Sequence, residues 1–396
     1  MRILFFNNLF PQPSQTFVLD QIRHAEALGL DVTVYAKRYN AGLAAGHAPD
    51  LGTRVVHDRP RDAATLGRIA RGLARTPDRP GRFLARRRAL ALHVSDLACA
   101  LQVGAPPDVI VANFGQNGIV AARIKQAFFP AARLAVIFHG WDVSAYVAAN
   151  GWDGYRRAAP AIDIAIAVNR PWAERLAANT PIGNIVVHHL GVDLDKVRQP
   201  PPRSADSGRF GIVFVGRMVE KKGLAYLIEA IAMLKARGRD VTVAAVGDGP
   251  EEAALKAAAA SAGVAESIVF HGRQPNETVL RLMAGADCLA LPSVTAADGD
   301  QEGIPVTLME AMATGLPVVS TFHSGIPELV ADGDTGLLVA ERDAAGLAAA
   351  IERLIADPAL GPRLATRARD FVAAEFNAAI QNRALFDLIL GREGSG

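Results

Sequence analysis

The chain has 396 residues, 50% of them hydrophobic and 21% charged, with a formal net charge of +2. At roughly 100–200 residues per domain the length calls for two domains with separate cores, and the composition excludes a disordered or fibrous chain. No apolar run reaches the ~18–20 residues of a membrane span. The two cysteines, Cys99 and Cys288, are too far apart in sequence to suggest a disulfide framework or a cysteine-built metal site, and fit a reducing, cytoplasmic compartment.

The apolar N-terminus meets Pro11 and Pro13 early and lacks a small-residue cleavage site, so it reads as a first strand, Arg2–Phe6, rather than a leader. A helix follows over Ser14–Leu28, with Ser14 as N-cap and Gly29 as stop. Further strands are predicted at Asp31–Ala36, Asp108–Ala112, Leu134–Phe138, Asp163–Val168 and Ile185–His188. In the second half they fall at Gly211–Val215, Val241–Val246, Ile268–Phe270, Cys288–Leu291, Pro317–Ser320 and Gly336–Val339. Helices Leu224–Arg237, Glu251–Ala262 and Val306–Thr314 lie between them. Strand alternating with helix is the pattern of parallel α/β sheets covered by helices.

The polar, proline-rich run from Gln199 to Asp206 can continue neither helix nor sheet and reads as a linker. The expected division is an N-terminal domain over 1–199, a linker over 200–208, a C-terminal domain over 209–376, and a terminal helix and tail over 377–396 that can pack back on the N-terminal domain. Two such domains would leave a cleft at the carboxyl ends of their sheets, where ligands of open α/β folds bind.

Charge is split between the halves: residues 1–200 carry 24 Lys+Arg against 15 Asp+Glu, and residues 201–396 carry 18 against 25. The basic half holds Arg68, Arg71, Arg75, Arg79, Arg82 and Arg86 at helical spacing, interrupted by Pro77 and Pro80, with Leu66, Ile69, Leu73, Phe83 and Leu84 among them. Basic beside apolar residues suits an anionic membrane surface; a solvated helix pair with its apolar side in the core is the alternative. No recognition motif for nucleic acid accompanies the charge.

Two segments carry the chemistry. In the first, residues 296–311, a loop containing Asp298, Asp300 and Glu302 runs through Gly303, Ile304 and Pro305 into the Val306–Thr314 helix, which bears Glu310. A helix N-terminus is an anion site, and the two glutamates are acceptors suited to sugar hydroxyls. Pro305 suits the first helical turn. The second segment is Gly216-Arg217-Met218-Val219-Glu220-Lys221-Lys222-Gly223, directly after a strand. Arg217 and Lys222 can clamp a diphosphate there, with Lys221 as a solvated neighbour. Asp298-Gly299-Asp300 has the spacing of a metal-diphosphate motif, but the cations and the helix terminus already supply positive potential, so the aspartates read as loop-shaping or acceptor-facing. Gly247-Asp248-Gly249-Pro250-Glu251-Glu252 has glutamate where a dinucleotide fingerprint needs its third glycine.

These segments, with Val246-Gly247-Asp248-Gly249-Pro250 and Leu291-Pro292-Ser293, occur in the order and spacing of retaining glycosyltransferase family 4, which the chain resembles over nearly its whole second half. Pro13-Ser14-Gln15-Thr16-Phe17, Asn113-Phe114-Gly115 and Phe138-His139-Gly140-Trp141-Asp142 extend the resemblance into the first half. His323-Ser324-Gly325-Ile326-Pro327-Glu328 brings it nearest to the colanic-acid and amylovoran type of exopolysaccharide glycosyltransferase.

The resemblance implies the GT-B arrangement, two Rossmann-like domains facing across a cleft. It implies that Arg217 and Lys222 hold the donor diphosphate, and that Glu310 binds the ribose. Glu302 with the backbone at Gly303, Ile304 and Val306 would hold the sugar and distal phosphate, and Gly216 and Gly247 would line the donor site. The backbone at Arg273 and Gln274 would meet the base, and His139 would approach the sugar. Asn7–Ser14 lacks the glycines many members carry, so either side chains such as Ser14 or Thr16 replace the backbone contacts to the donor or the segment serves the acceptor, with Ser14, Gln15, Thr16 and Asp142 as acceptor-side candidates.

The expected activity is metal-independent, retaining transfer of a hexose from a nucleotide-diphosphate sugar to a lipid-linked saccharide at the cytoplasmic face of the inner membrane. A UDP-sugar is the first choice of donor and GDP-mannose the second. A nucleotide-sugar 2-epimerase and a non-catalytic sugar-nucleotide-binding subunit are the rivals. Lys222→Ala and Arg217→Ala are expected to abolish transfer with little loss of folding, and EDTA to have no effect.

Overall fold

The computed structural model describes residues 1–11, 16–40, 55–57, 63–197 and 208–392. It divides into two units: Met1–His188 together with Asn382–Gly396, and His189–Gln381. Residues 189–197, assigned above to the N-terminal domain, belong with the second unit. Val192 pairs with Asn377, Val192 and Val197 enter the second core, and the His189 ring stacks on Phe376 at 4.9 Å. The proline-rich stretch at 198–207 lies outside the described residues. From Asn382 onward the terminal segment belongs with the first unit, where Phe386 packs against His24 at 5.2 Å.

The first unit is built on strands β1 (Arg2–Phe10), β2 (Asp31–Tyr39), β3 (Val55–His57), β4 (Val109–Asn113), β5 (Arg133–Phe138), β6 (Ile164–Ala167) and β7 (Ile185–Val187). They form one parallel sheet in the order β3-β2-β1-β4-β5-β6-β7. The second unit has β8 (Phe210–Val215), β9 (Val241–Val246), β10 (Ile268–Gly272), β11 (Cys288–Ala290), β12 (Val318–Thr321) and β13 (Leu337–Val339), also parallel, in the order β10-β9-β8-β11-β12-β13. Central strands are buried on both faces, as β4 and β11 are throughout. Their near-continuous apolar runs follow from helices covering both sides of a parallel sheet. The edge strand β3 is too short to leave a periodic signal and is absent from the predicted set.

Each sheet reverses its winding beside its first strand, and that reversal opens a crevice at the carboxyl ends of the strands. In the second unit the loops after β8 and β11 flank it. Glycine lets them close together. Gly223 has φ +70°, and a Cβ there would lie 1.8 Å from the Pro292 carbonyl oxygen. The loop after β9 closes on the loop after β8 in the same way: Gly247, at φ +132°, would press a Cβ to 1.9 Å from the Gly216 carbonyl oxygen. Gly223→Ala should therefore destabilise the second unit by about 1–3 kcal/mol through strain and overpacking, read as a lower denaturant midpoint. An unchanged midpoint would refute the close approach.

Candidate functional site

The loop after β8 makes one turn, Glu220–Lys222, and ends at the left-handed Gly223 that starts the Leu224–Ala236 helix. Gly216 lacks the Cβ that would stand 3.2 Å from the Lys222 stem, so that side chain runs back across the strand end. Its Nζ lies 2.8 Å from Oε1 of Glu302, in the loop after β11, and the two side chains are only 13% and 9% exposed. Burial by itself would raise the Glu302 carboxyl; Lys222, then Lys221, outweigh it and hold it below the ordinary carboxylate range. Lys221 is not the solvated neighbour expected from sequence. Its Nζ sits 2.9 Å from Oδ2 of Asp300, with side-chain exposures of 11% and 15%. The β8–helix turn therefore presents two cations to one acidic loop.

Asp298 and Asp300 shape that loop. Oδ1 of Asp298 accepts the Asp300 N–H at 2.9 Å, Gly299 turns at φ +82°, and Asp300 is committed to Lys221. Among the described residues no three of His, Cys, Asp and Glu gather as a metal site. The loop enters the Val306–Thr314 helix through Pro305, which precedes the first turn rather than forming part of it. Val306 and Thr307 in that turn have no intrahelical acceptor for their N–H groups. Ile304 is buried and Val306 exposed. Glu310 is half-buried one turn further on. Burial raises its carboxyl, opposed only by Nδ2 of Asn276 at 3.5 Å. Arg217 and Arg273 are exposed, and the Gln274 amide turns back to donate to the His271 carbonyl at 2.6 Å. The second unit thus brings Lys222, Glu302 and the helix start together and leaves Arg217 exposed.

Sequence reasoning missed what holds the Glu302 loop. Its backbone N–H donates to Nε2 of the fully buried His323 at 3.0 Å, and Nδ1 of His323 lies 2.6 Å from Oε1 of Glu341. The Glu341 carboxylate also accepts the Thr295 N–H at 2.8 Å. His323 stood inside a recognised motif, but no local signal pointed to Glu341.

In the first unit, His139 follows β5 with its ring between Phe17 and Phe114, at centroid distances of 4.6 and 4.5 Å, and Nε2 2.9 Å from Oδ1 of Asn113. Burial among apolar rings pushes its pKa down to about 3, so it is a neutral imidazole at physiological pH. Asp142 is not acceptor-facing. It is fully buried, and its carboxylate accepts N–H groups of Gly115 at 2.8 Å, Gly140 at 2.8 Å and His139 at 3.0 Å, which ties the loop after β5 to the helix after β4. Ser14 and Gln15 lie outside the described residues, as does the side chain of Thr16.

The arginines divide. Arg79 is buried rather than membrane-facing: its guanidinium donates to the carbonyls of Ala100 and, at 2.6 Å, Gly104, and lies 4.9 Å from the Phe129 ring centre. It satisfies the orphan carbonyls ending the Val94–Val103 helix. Arg68 is half-buried against Thr65, and Arg86 reaches the Gln126 carbonyl. Arg71, Arg75 and Arg82 remain exposed, Arg82 beside Asp78 at 2.8 Å.

The family model "Glycosyl transferases group 1" matches residues 195–371, and "Glycosyltransferase Family 4" matches residues 14–196. WcaL, ascribed to colanic acid biosynthesis in Escherichia coli (strain K12), is 36% identical over 98% of this chain and 99% of its own. The amylovoran biosynthesis glycosyltransferase AmsK of Erwinia amylovora is 33% identical over the same shares. The chain belongs to glycosyltransferase family 4. It is of the exopolysaccharide type, as its motifs suggested. A GDP-mannose-dependent phosphatidylinositol monomannoside mannosyltransferase of Mycolicibacterium smegmatis is 32% identical over 66% of the chain and 71% of its own. Among solved structures, Anabaena HepE in complex with UDP and glucose aligns with TM-score 0.71 at 20% identity, covering 99% of this chain and all of its own, which establishes the shared GT-B fold.

For this glycosyltransferase the buried ion pair changes one expectation. Lys222→Ala leaves a carboxylate buried without its nearest cation, a loss of up to about 3–5 kcal/mol, whereas Arg217→Ala removes an exposed side chain. Lys222→Ala should lower the melting temperature and Arg217→Ala should not. Because the folded Glu302 carboxyl titrates below its ordinary value of 4.5, the stability it contributes is present above that pH and is lost as pH falls through the folded value. The gap between wild type and Lys222→Ala should therefore narrow in acid; a gap constant with pH would exclude the ion pair as its source.

Proposed function

We propose that the chain is a retaining, metal-independent hexosyltransferase that moves a sugar from a nucleotide-diphosphate donor to a hydroxyl of a lipid-linked saccharide in exopolysaccharide assembly. The observation that carries this reading is the joining of Lys222, Glu302 and the start of the Val306–Thr314 helix at the switch point of the second sheet. As the glycosidic bond to the diphosphate breaks, negative charge grows on the β-phosphate and the sugar becomes oxocarbenium-like. Lys222, Arg217 and the helix N-terminus supply positive potential fixed in advance of that charge. Glu302, kept ionised by two lysines, is an acceptor for sugar hydroxyls, and Glu310, partly desolvated, is one for the ribose. The departing phosphate takes the acceptor proton in this scheme, so no side chain is assigned as general base. Asp300 is already engaged by Lys221, which favours cationic side chains over a divalent ion at the diphosphate. A UDP-sugar is the preferred donor, on the likeness to HepE, and GDP-mannose the second, on the mannosyltransferase relative.

Purified protein, given UDP-hexoses or GDP-mannose and lipid-extracted acceptor, should transfer sugar undiminished in EDTA. Arg217→Ala should slow transfer by about 100-fold or more. Full activity of that variant would sink the diphosphate assignment, and a requirement for added divalent ion would return Asp298 and Asp300 as ligands. Conversion of donor without acceptor would instead identify an epimerase.

The lipid-linked acceptor is supported by the outer face of the two basic helices, Ala63–Arg75 and Arg79–Arg86. Gly72 packs against the Leu101 carbonyl, which turns Leu66 and Leu73 outward, 55% and 46% exposed, and Leu84 is 72% exposed. Arg71, Arg75 and Arg82 are exposed on the same two helices, and a helix pair that exposes both arginines and leucines suits an anionic bilayer, at about 1 kcal/mol per charge. No helix among the described residues is long and apolar enough to cross a membrane. The protein should co-sediment with phosphatidylglycerol vesicles but not with phosphatidylcholine vesicles, and Arg71→Glu/Arg75→Glu should abolish it. Equal binding to both vesicles would remove the electrostatic reading.

A further inference from the structure

Two dipeptides hold the acidic loop of the second unit by its backbone. His323 and Ser324, after β12, take both polar groups of the Glu302 residue: Nε2 of His323 accepts its N–H at 3.0 Å, and Oγ of Ser324 donates to its carbonyl at 2.7 Å. Glu341 and Arg342, after β13, do the same for Thr295: the Glu341 carboxylate accepts its N–H at 2.8 Å, and the Arg342 guanidinium donates to its carbonyl. The two clamps are joined, since Nδ1 of His323 lies 2.6 Å from Oε1 of Glu341. Ser324 and Arg342 both adopt left-handed backbone, at φ +47° and +62°, strain that non-glycine residues bear only where the surroundings impose it.

The hydrogen-bond sense follows from chemistry. The Glu302 N–H can only donate, so Nε2 carries the lone pair, and the neutral ring holds its proton on Nδ1, directed at Glu341. His323 is fully buried and aimed at the backbone, so it meets no ligand itself. It acts on the residue whose carboxylate faces Lys222.

We propose that His323, oriented by Glu341, is a positioning residue that fixes the Glu302 peptide so that its carboxylate, paired with Lys222, engages the donor's sugar, while Arg217 on the loop after β8 holds the diphosphate without contacting the clamp. This deepens the donor-binding reading above and rests on it. Loss of the clamp should loosen Glu302 directly and reach the diphosphate contacts only at second hand, with Arg217 left in place. Binding of the sugar nucleotide should then suffer more than binding of the nucleotide alone.

Two measurements on the full chain test this. In His323→Phe, which keeps the bulk but accepts no hydrogen bond, affinity for UDP-glucose or GDP-mannose, whichever the wild type binds, should fall roughly 10-fold to 100-fold. Affinity for UDP or GDP should stay within about twofold. His323→Gln can accept with its carbonyl and donate with its amide, so it should recover most of the loss. Hydrogen exchange at the Glu302 amide, measured without ligand, should be slow in wild type and His323→Gln and fast in His323→Phe. Equal weakening of nucleotide and sugar nucleotide, or an unchanged Glu302 amide in His323→Phe, would overturn the assignment. If wild type favours no sugar nucleotide over its nucleotide, the donor reading falls and takes the sugar-directed part of the assignment with it; the amide measurement still decides whether His323 holds Glu302.

Discussion

A carboxylate sealed from water has to be neutralised by a proton or a cation, and in the second unit Glu302 is neutralised by Lys222. Much of the local architecture can be read from that requirement. The lysine must arrive from the loop after β8, across a strand end where Gly216 leaves room for its stem. The neighbouring Lys221 is drawn to Asp300, which fixes the acidic loop at a second point. A site assembled in this way carries its charges already desolvated and oriented, the condition under which electrostatic stabilisation of a leaving group is most effective.

The same physics gives charges in the first unit different work. Asp142 and Arg79 are both buried, and both are spent on backbone: one on N–H groups near the start of a helix, the other on the last carbonyls of another. Residue type and spacing matched an acceptor site and a basic surface, yet each side chain lies inward because unsatisfied helix ends are costly to bury. Arg71 and Arg75, for which no buried acceptor is at hand among the described residues, stay at the surface.

The fold was largely legible in the sequence. Strands buried on both faces show as unbroken apolar runs, and helices between them end at Gly or Pro; the Val306–Thr314 helix was predicted to its observed limits. The site was legible only in part. Glu302, Glu310, Arg217 and Lys222 lie in short motifs beside strand ends, where topology alone makes a ligand site plausible. The contributions of Lys221, His323 and Glu341 were not, because each depends on a partner many residues away in sequence.

What the sequence determined by itself was therefore the layout: two parallel α/β units, a family, and the segments that meet at the switch point. Periodicity and local motifs encode these, since both depend on near neighbours in the chain. Only the tertiary structure decided which charged side chains are paired and which are exposed. Burial and pairing are properties of approach between distant segments: Lys222 with Glu302, His323 with Glu341, Arg79 with a helix end. A lysine or an arginine reads the same in a sequence whether it faces water, a phosphate or a carbonyl, and its energy differs by several kcal/mol among them.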